Sequence, residues 1–296
     1  MNENFLHDSK ICISDHNNPD NKKVILQKNG FSILQCSACG LRYALPEDYD
    51  KHLQAFSDDY FFNGKDGYPN YLEESEILYQ AGVRYSKLIS RYMESPGKMI
   101  DVGAAAGFIQ KGFADNGWDT TGIEPNASMA KWGKENLGLR IENSGLETFN
   151  TNEIFDLVSL IQVIGSLHDL ETSFNKMKQL LRPGGFLLIE SWRMESWWAR
   201  LWGKHWHEYC PPRVINWFSD KSLTGLATKF GFSLVDKGKP VKKISMHHGL
   251  TLLEESLPKI PMKKSVIGLL DKFLGKKTVR YPAWDLGWYL FKKNES

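Results

Sequence analysis

Between residues 98 and about 190 the chain alternates short apolar runs with amphipathic ones, and this alternation limits the fold more than any other feature. The runs "MIDVG", "WDTTGIEP", "FDLVSLIQVIG" and "FLLIES" have the length and composition of strands. Between them, "FIQKGFADNG", "SMAKWGKENLG" and "ETSFNKMKQLL" keep helical spacing. The strand runs are apolar on both faces, as in a parallel sheet covered by helices on each side. The expected fold is α/β, a Rossmann-like doubly wound sheet, mostly parallel. Gly138 is placed to close the second helix, and "RPGG" to turn the chain into the fourth strand run.

Flanking segments extend this plan. Upstream, "SEILYQAGVRYSKLISRYM" predicts a helix broken by "ESPG". Downstream, a Trp-dense stretch (192–217) suits either a stacking wall for an acceptor or a layer packed over the sheet. A capped helix over "SDKSLTGLATKFGF" should end at Gly231, followed by strands over "SLVDKG" and "DLGWYLFKK", the last one antiparallel. Three regions are expected: a small cysteine-bearing segment (1–45), a helical linker or cap (46–95), and the sheet domain (96–296) with an insert at 241–284.

That insert is rich in lysine. "KKSVIGLLDKFLGKK" places Val266, Ile267, Leu269, Leu270, Phe273 and Leu274 on one helical face. From 241 to the end there are eleven Lys and Arg against five Asp and Glu. The insert is expected to cover the acceptor pocket, either with its lysines solvated or in weak, salt-sensitive contact with an anionic membrane surface. Over the whole chain 37 basic residues meet 35 acidic ones, so no nucleic-acid partner is expected. The N-terminus lacks a signal-peptide plan and no apolar run has membrane-spanning length, so the expected location is the cytoplasm. The oligomeric state is left open.

"MIDVGAAAGF" (99–108) is the most informative local stretch. An acidic residue, Asp101, lies in the strand run, and Gly103, Ala104, Ala105, Ala106 and Gly107 then open a helix. Such a turn lets backbone approach a ligand at the carboxyl edge of a parallel sheet. Glu124, at the end of the next strand, suits the two hydroxyls of a ribose. A dinucleotide fingerprint would need glycines at 105 and 108, where the chain has Ala105 and Phe108, so NAD is disfavoured.

The stretch resembles the first motif of the class I S-adenosylmethionine-dependent methyltransferases, acidic-x-Gly-x-Gly-x-Gly, with Ala105 in place of the middle glycine. The resemblance continues through "GIEPNASM", "FDLVSLIQVIGSLHD", "LLRPGGFLLIES" and "PPRVINWFSDKSLTGLATKFGF". It implies S-adenosylmethionine as cofactor, with Asp101, Gly103, Ala105 and Gly107 beside the methionine moiety. Glu124 would take the ribose, and Pro125, Gly145 and Leu146 would lie near the adenine. Gln162 would face the reacting methyl. Where Gly145 stands the family often carries an acidic residue. Where it commonly carries Glu-His after the fourth strand this chain has Gly165 and Ser166, and Val214 replaces a further His. His168 and His207 are the substitute base candidates, with His205 also in reach.

Cys36 and Cys39 form a Cys-x-x-Cys turn, with Cys12 upstream. Two thiolates on such a turn can reach one tetrahedral ion. Many members of the resembled family carry a second cysteine pair upstream; here Asp15 occupies the expected place with His16 next to it, and His7 is a further candidate. Cys12, His16, Cys36 and Cys39 are read as a zinc-ribbon-like structural site, the alternatives being a ribbon without metal or a redox pair. The function expected is methyl transfer to a small molecule or glycan, at oxygen. A lipid or quinone acceptor and a non-catalytic cofactor-binding protein are the alternatives.

Overall fold

The structure is a computed structural model that describes residues 22–44, 52, 55–58, 71–245, 278–281 and 283–295. The N-terminal strands are β1 (Lys22–Lys28), β2 (Phe31–Cys36) and β3 (Arg42–Tyr43). Helix α1 (Ser75–Ile89) leads into β4 (Lys98–Val102), α2 (Phe108–Ala114), β5 (Asp119–Ile123), α3 (Ala127–Leu137) and β6 (Ile141–Glu142). Then come β7 (Phe155–Ile161), α4 (Leu170–Leu180), β8 (Leu181–Trp192), α5 (Trp197–Trp202), β9 (Asn216–Trp217) and α6 (Asp220–Lys229). The chain closes with β10 (Phe232–Gly238), β11 (Lys242–Ser245), β12 (Thr278–Tyr281) and β13 (Leu286–Lys293).

The main sheet has seven strands in the order β10-β13-β8-β7-β4-β5-β6. β4 to β8 run parallel, and β13 is antiparallel to both its neighbours. The order turns back at β4, so the carboxyl ends of β4 and β7 diverge into a crevice, where open α/β sheets bind ligands. Both faces are buried, as the unbroken apolar runs require. On one face Ile100, Val158, Leu187 and Ile189 pack with Leu170, Phe174 and Met177 of α4 and Leu223 of α6. On the other, Met99, Leu157, Leu188 and Leu290 pack with Tyr85 and Ile89 of α1 and Phe113 of α2. Each such fully buried Leu or Phe contributes about 1.5–3 kcal/mol against conformational entropy.

Local signals set the helix ends. Asn126 caps α3 by accepting the Met129 N–H at 2.8 Å, and Gly138 closes that helix at φ +64°. Asp169 caps α4, and Ser219 with Ser222 forms a capping box on α6. "RPGG" does not separate helix from strand as expected. α4 passes directly into β8, and the four residues bulge out of the strand, its ladder with β7 jumping from Leu181 to Phe186. A glycine pair sets the α1–α2 contact. A Cβ on Gly82 would lie 2.1 Å from the Ile109 carbonyl oxygen, and one on Gly112 would lie 2.5 Å from that of Tyr79.

The N-terminal hairpin shares a second sheet, β1-β2-β3-β9, with residues from beyond the main sheet's fourth helix. Arg42 pairs with Trp217 and Tyr43 with Asn216, and Cys36, Cys39, Leu41 and Tyr43 join the large core beneath the sheet. At the base of the insert β11 and β12 pair antiparallel, Lys242 with Tyr281 through Ser245 with Thr278. The amphipathic stretch 263–277, expected to cover the acceptor, lies outside the described residues. Among the described residues, no helix is long and apolar enough to cross a membrane.

Candidate functional site

Three strands of the sheet carry a carboxylate at or just beyond their carboxyl ends: Asp101 in β4, Glu124 after β5 and Glu190 in β8. All three are at most 4% exposed. Buried acids at the mouth of an apolar sheet are costly unless hydrogen-bonded, and each of these is. Ser159 of β7 donates to Asp101 Oδ1 at 2.5 Å. Burial pushes the Asp101 carboxyl up to about 7; the Ser159 bond opposes this rise and the Glu124 charge adds to it.

Glu124 serves the small-residue turn directly. Its Oε2 accepts the Ala105 N–H at 2.9 Å and its Oε1 the Asn126 N–H at 2.8 Å. Burial raises its pKa while both amide bonds hold it down. The turn is also pinned by the Ile123 carbonyl, which accepts from Gly103 and Ala104. Gly103, Ala105 and Gly107 have φ of +70°, +47° and +82°. Gly103 is needed for two reasons the ligand does not supply. Its φ is left-handed, and a Cβ there would meet Val163 Cγ2 at 2.5 Å. Backbone conformation and packing thus call for a small residue here, beside the ligand approach expected from the sequence.

The remaining cofactor candidates divide. Pro125 is exposed, with its carbonyl accepting from Asn143 at 2.9 Å. Gly145 sits in the turn after β6 with room for a Cβ. Leu146 is 2% exposed and its side chain belongs to the core, which leaves its backbone as the part able to line a ligand. Gln162, at φ +61° just past β7, donates from Nε2 to Glu190 Oε1 at 2.7 Å. Tyr85 of α1 donates to the other oxygen of Glu190.

His168 stands apart from His205 and His207, which share the segment after α5. His168 is exposed and precedes the α4 cap Asp169. His207 packs edge-on against Trp192, the last residue of β8, at 4.8 Å, and its Nε2 is 3.4 Å from Glu208 Oε1. His205 is exposed on the loop after α5. His52, passed over in the sequence, is buried between the carbonyl oxygens of Ser166 (2.8 Å) and Pro212. It thereby ties the 46–95 region to the loops after β7 and before β9. Burial lowers its pKa and the two carbonyls raise it. Glu190 was also passed over, although it shows the signal that marked Asp101: a lone acid in an otherwise apolar strand run.

Cys36 and Cys39 lie on one tight turn, where the Cys36 carbonyl accepts the Gly40 N–H at 2.9 Å, and they are 1% and 5% exposed. Cys12 and His16 lie outside the described residues. Among the described residues, no group of three or more His, Cys, Asp or Glu converges as a metal site. Burial chiefly pushes the Cys210 thiol up to about 12, so it stays protonated near neutrality.

A family model described as a methyltransferase domain matches residues 77–237, more than half of the chain. Among curated proteins, the ubiquinone biosynthesis O-methyltransferase of Rhodopseudomonas palustris (strain BisB5) is 28% identical over 97 residues, 31% of this chain and 38% of that one. The enzyme of the same name from Bradyrhizobium sp. (strain ORS 278) is 26% identical over 99 residues, 32% and 39% of the two chains. The chain thus matches well under half the length of these relatives. Among solved structures, the 1,6-didemethyltoxoflavin-N1-methyltransferase of Burkholderia thailandensis, with bound 1,6-didemethyltoxoflavin and S-adenosylhomocysteine, has a TM-score of 0.53 at 14% identity. It covers 93% of this chain and 99% of its own. A possible histamine N-methyltransferase of Thermotoga maritima has a TM-score of 0.50 at 18% identity, covering 76% and 94%. These two likenesses concern the fold.

Proposed function

The chain belongs to the methyltransferase-domain family, and from that premise we propose that it moves a methyl group from S-adenosylmethionine to oxygen on a small-molecule acceptor. The observation that carries this reading is the left-handed turn at the sheet's carboxyl edge, with buried Asp101 in the strand before it and Glu124 accepting the Ala105 N–H within it. Glu124 binds the ribose hydroxyls, with lone pairs beyond those its two amide bonds use. Asp101 receives the amino group of the methionine moiety. A cation there draws the Asp101 carboxyl back below 7, so binding near neutrality releases a proton. The bound sulfonium supplies the activated methyl. The protein's part is to align the acceptor and exclude water.

An oxygen acceptor also needs somewhere to send its proton. His168 and His207 are the candidates; His207 packs on Trp192 and lies beside Glu208. The curated relatives bear "ubiquinone biosynthesis" in their names, which supports a lipid or quinone acceptor beside the small-molecule or glycan one. Calorimetry with S-adenosylmethionine, S-adenosylhomocysteine and NAD tests the cofactor. Binding of the first two alone supports the reading, and tight NAD binding overturns it.

We propose a structural zinc held by Cys36 and Cys39, which the Cys-x-x-Cys spacing puts on one tight turn, and completed by Cys12 and His16. Metal analysis of protein prepared without chelators should return about one zinc per chain. None would remove the proposal.

A further inference from the structure

Beyond the methyl-transfer site, the described surface carries an apolar face that this reading does not use. Trp197, Leu201, Trp202 and Trp284 are 53%, 68%, 36% and 39% exposed. The three tryptophans and Trp198 form one knot of rings, and Leu201 is on the same short helix as Trp197, Trp198 and Trp202. Trp197 lies 4.7 Å from Trp284 and 5.4 Å from Trp198, which lies 5.6 Å from Trp202 and 5.3 Å from Trp284. Four large side chains this exposed, in one place, are uncommon on a soluble domain and mark a contact surface.

The knot is held rigidly from below. Ser196 caps α5 by accepting the Ala199 N–H at 3.0 Å, and Ala199 is 4% exposed. Trp206, 1% exposed, donates its indole N–H to the buried Asp285 at 2.9 Å, next in sequence to Trp284. The apolar face is therefore built before any partner arrives.

Charge identifies the partner. From Ser196 to His207 there is no acidic residue, while Arg200, Lys204 and His205 are exposed among the tryptophans. The flanking acids are engaged: Glu195 with Arg193 at 3.7 Å and the Asp220 N–H at 2.9 Å, and Glu208, 9% exposed, with His207. Tryptophan and leucine set among basic residues are the composition of surfaces that lie in a lipid interface, with indoles at headgroup depth and cations on anionic headgroups. The ring planes argue against a flat sugar platform, since neighbours meet at 83°, 65°, 48° and 56°. We propose that α5 and Trp284 dock this chain on an anionic lipid surface.

Position gives the docking a consequence. α5 follows the carboxyl end of β8, and Trp284 precedes Leu286, which pairs with Trp192 there. The knot thus lies at the same edge of the sheet as Glu190 and His207, and docking would turn that edge toward the lipid. An acceptor dissolved in the bilayer could then reach the site without crossing water.

The test is co-sedimentation of the full chain with vesicles of equal parts phosphatidylglycerol and phosphatidylcholine, against phosphatidylcholine alone, at low and high salt. Vesicles with brominated acyl chains report tryptophan depth. The expected result is pelleting with the anionic vesicles only, lost at high salt, with tryptophan emission quenched. Trp197→Ala/Leu201→Ala should bind roughly tenfold or more weakly, and Arg200→Glu/Lys204→Glu should abolish pelleting; all four side chains are exposed, and an unchanged melting temperature checks that each variant is folded. Absence of pelleting, or equal pelleting of the Trp197→Ala/Leu201→Ala variant, would overturn the proposal. So would self-association of the unaltered chain that this variant abolishes without any vesicle binding, which would make the face a contact between copies. No arm needs cofactor or turnover, so failure of the methyl-transfer reading and failure of docking are separately visible.

Discussion

Glu124 Oε2 accepts the N–H of Ala105 at 2.9 Å, and Ala105 is held at φ +47°. A left-handed conformation costs an alanine about 1–2 kcal/mol, and a charge-assisted bond from a buried carboxylate offsets that cost. The same side chain therefore shapes the turn and is the one we propose to take the ribose hydroxyls. Glu124→Ala should lose about 1.5–3 kcal/mol of S-adenosylhomocysteine affinity and also lower the melting temperature. Calorimetry showing unchanged affinity would refute the role.

Ala105 itself gives a graded test. Glycine there relieves the left-handed cost but adds freedom to the unfolded chain, so Ala105→Gly should change stability by no more than about 1 kcal/mol. Valine adds a β-branched side chain at positive φ, and Ala105→Val should destabilise by more than about 2 kcal/mol. Urea denaturation of the pair checks the contrast; equal effects would mean that the strain is not there.

Asp101 predicts a pH dependence of stability. Its folded pKa of about 7 lies above the ordinary 3.8, mainly from burial, so the folded state holds a proton that the unfolded state releases. Its contribution is fully present below about pH 4 and is lost as pH rises through about 7. Asp101→Asn keeps a side chain that can accept from Ser159 and removes the titration. Relative to the wild type, the variant should gain on the order of 3 kcal/mol between about pH 4 and pH 8. Parallel denaturation curves at the two pH values would show the proton is not bound there.

The α1–α2 contact rests on Gly82, whose added Cβ would meet the backbone oxygen of Ile109 at 2.1 Å. Alanine improves helix propensity by about 1 kcal/mol, yet the backbone has no rotamer through which to yield. Gly82→Ala should be net destabilising by roughly 1–3 kcal/mol. A stabilised variant in denaturant titration would show that the two helices slide apart at little cost.

Tyr85 and Glu190 join α1 to β8. Burial, and then the Glu190 charge, hold the Tyr85 hydroxyl well above its usual range, so it remains a donor at all physiological pH. Tyr85→Phe leaves a buried carboxylate oxygen with one fewer donor and should cost about 1–3 kcal/mol. Thermal unfolding is the check. An unchanged midpoint would mean that another group replaces the hydroxyl.

Much of this molecule was written locally. The strand and helix runs from 98 to 190, the caps Gly138 and Ser219, and the acids Asp101 and Glu124 follow from period, turn chemistry and a charge set against an apolar run. Glu190 carried the same mark and was legible in principle. His52 was not, because its place between Ser166 and Pro212 depends on contacts 114 and 160 residues away.

Other features belonged to the tertiary structure alone. The sequence determined that Gly103 must be small, but the reason includes Val163, which only the crossover from β4 to β7 brings to 2.5 Å of a Cβ at that position. It determined a Cys-x-x-Cys turn, but not that β3 would pair with β9, since strands of two residues have no period to read. It placed ten tryptophans in the chain, six of them in a single stretch of 26 residues from 192 to 217, without showing which are covered. Packing buried Trp206 and Trp217 and left Trp197 and Trp202 in solvent. Backbone preference and hydrophobic period act between neighbours in sequence, whereas burial and close approach are settled between residues that only the completed fold makes neighbours.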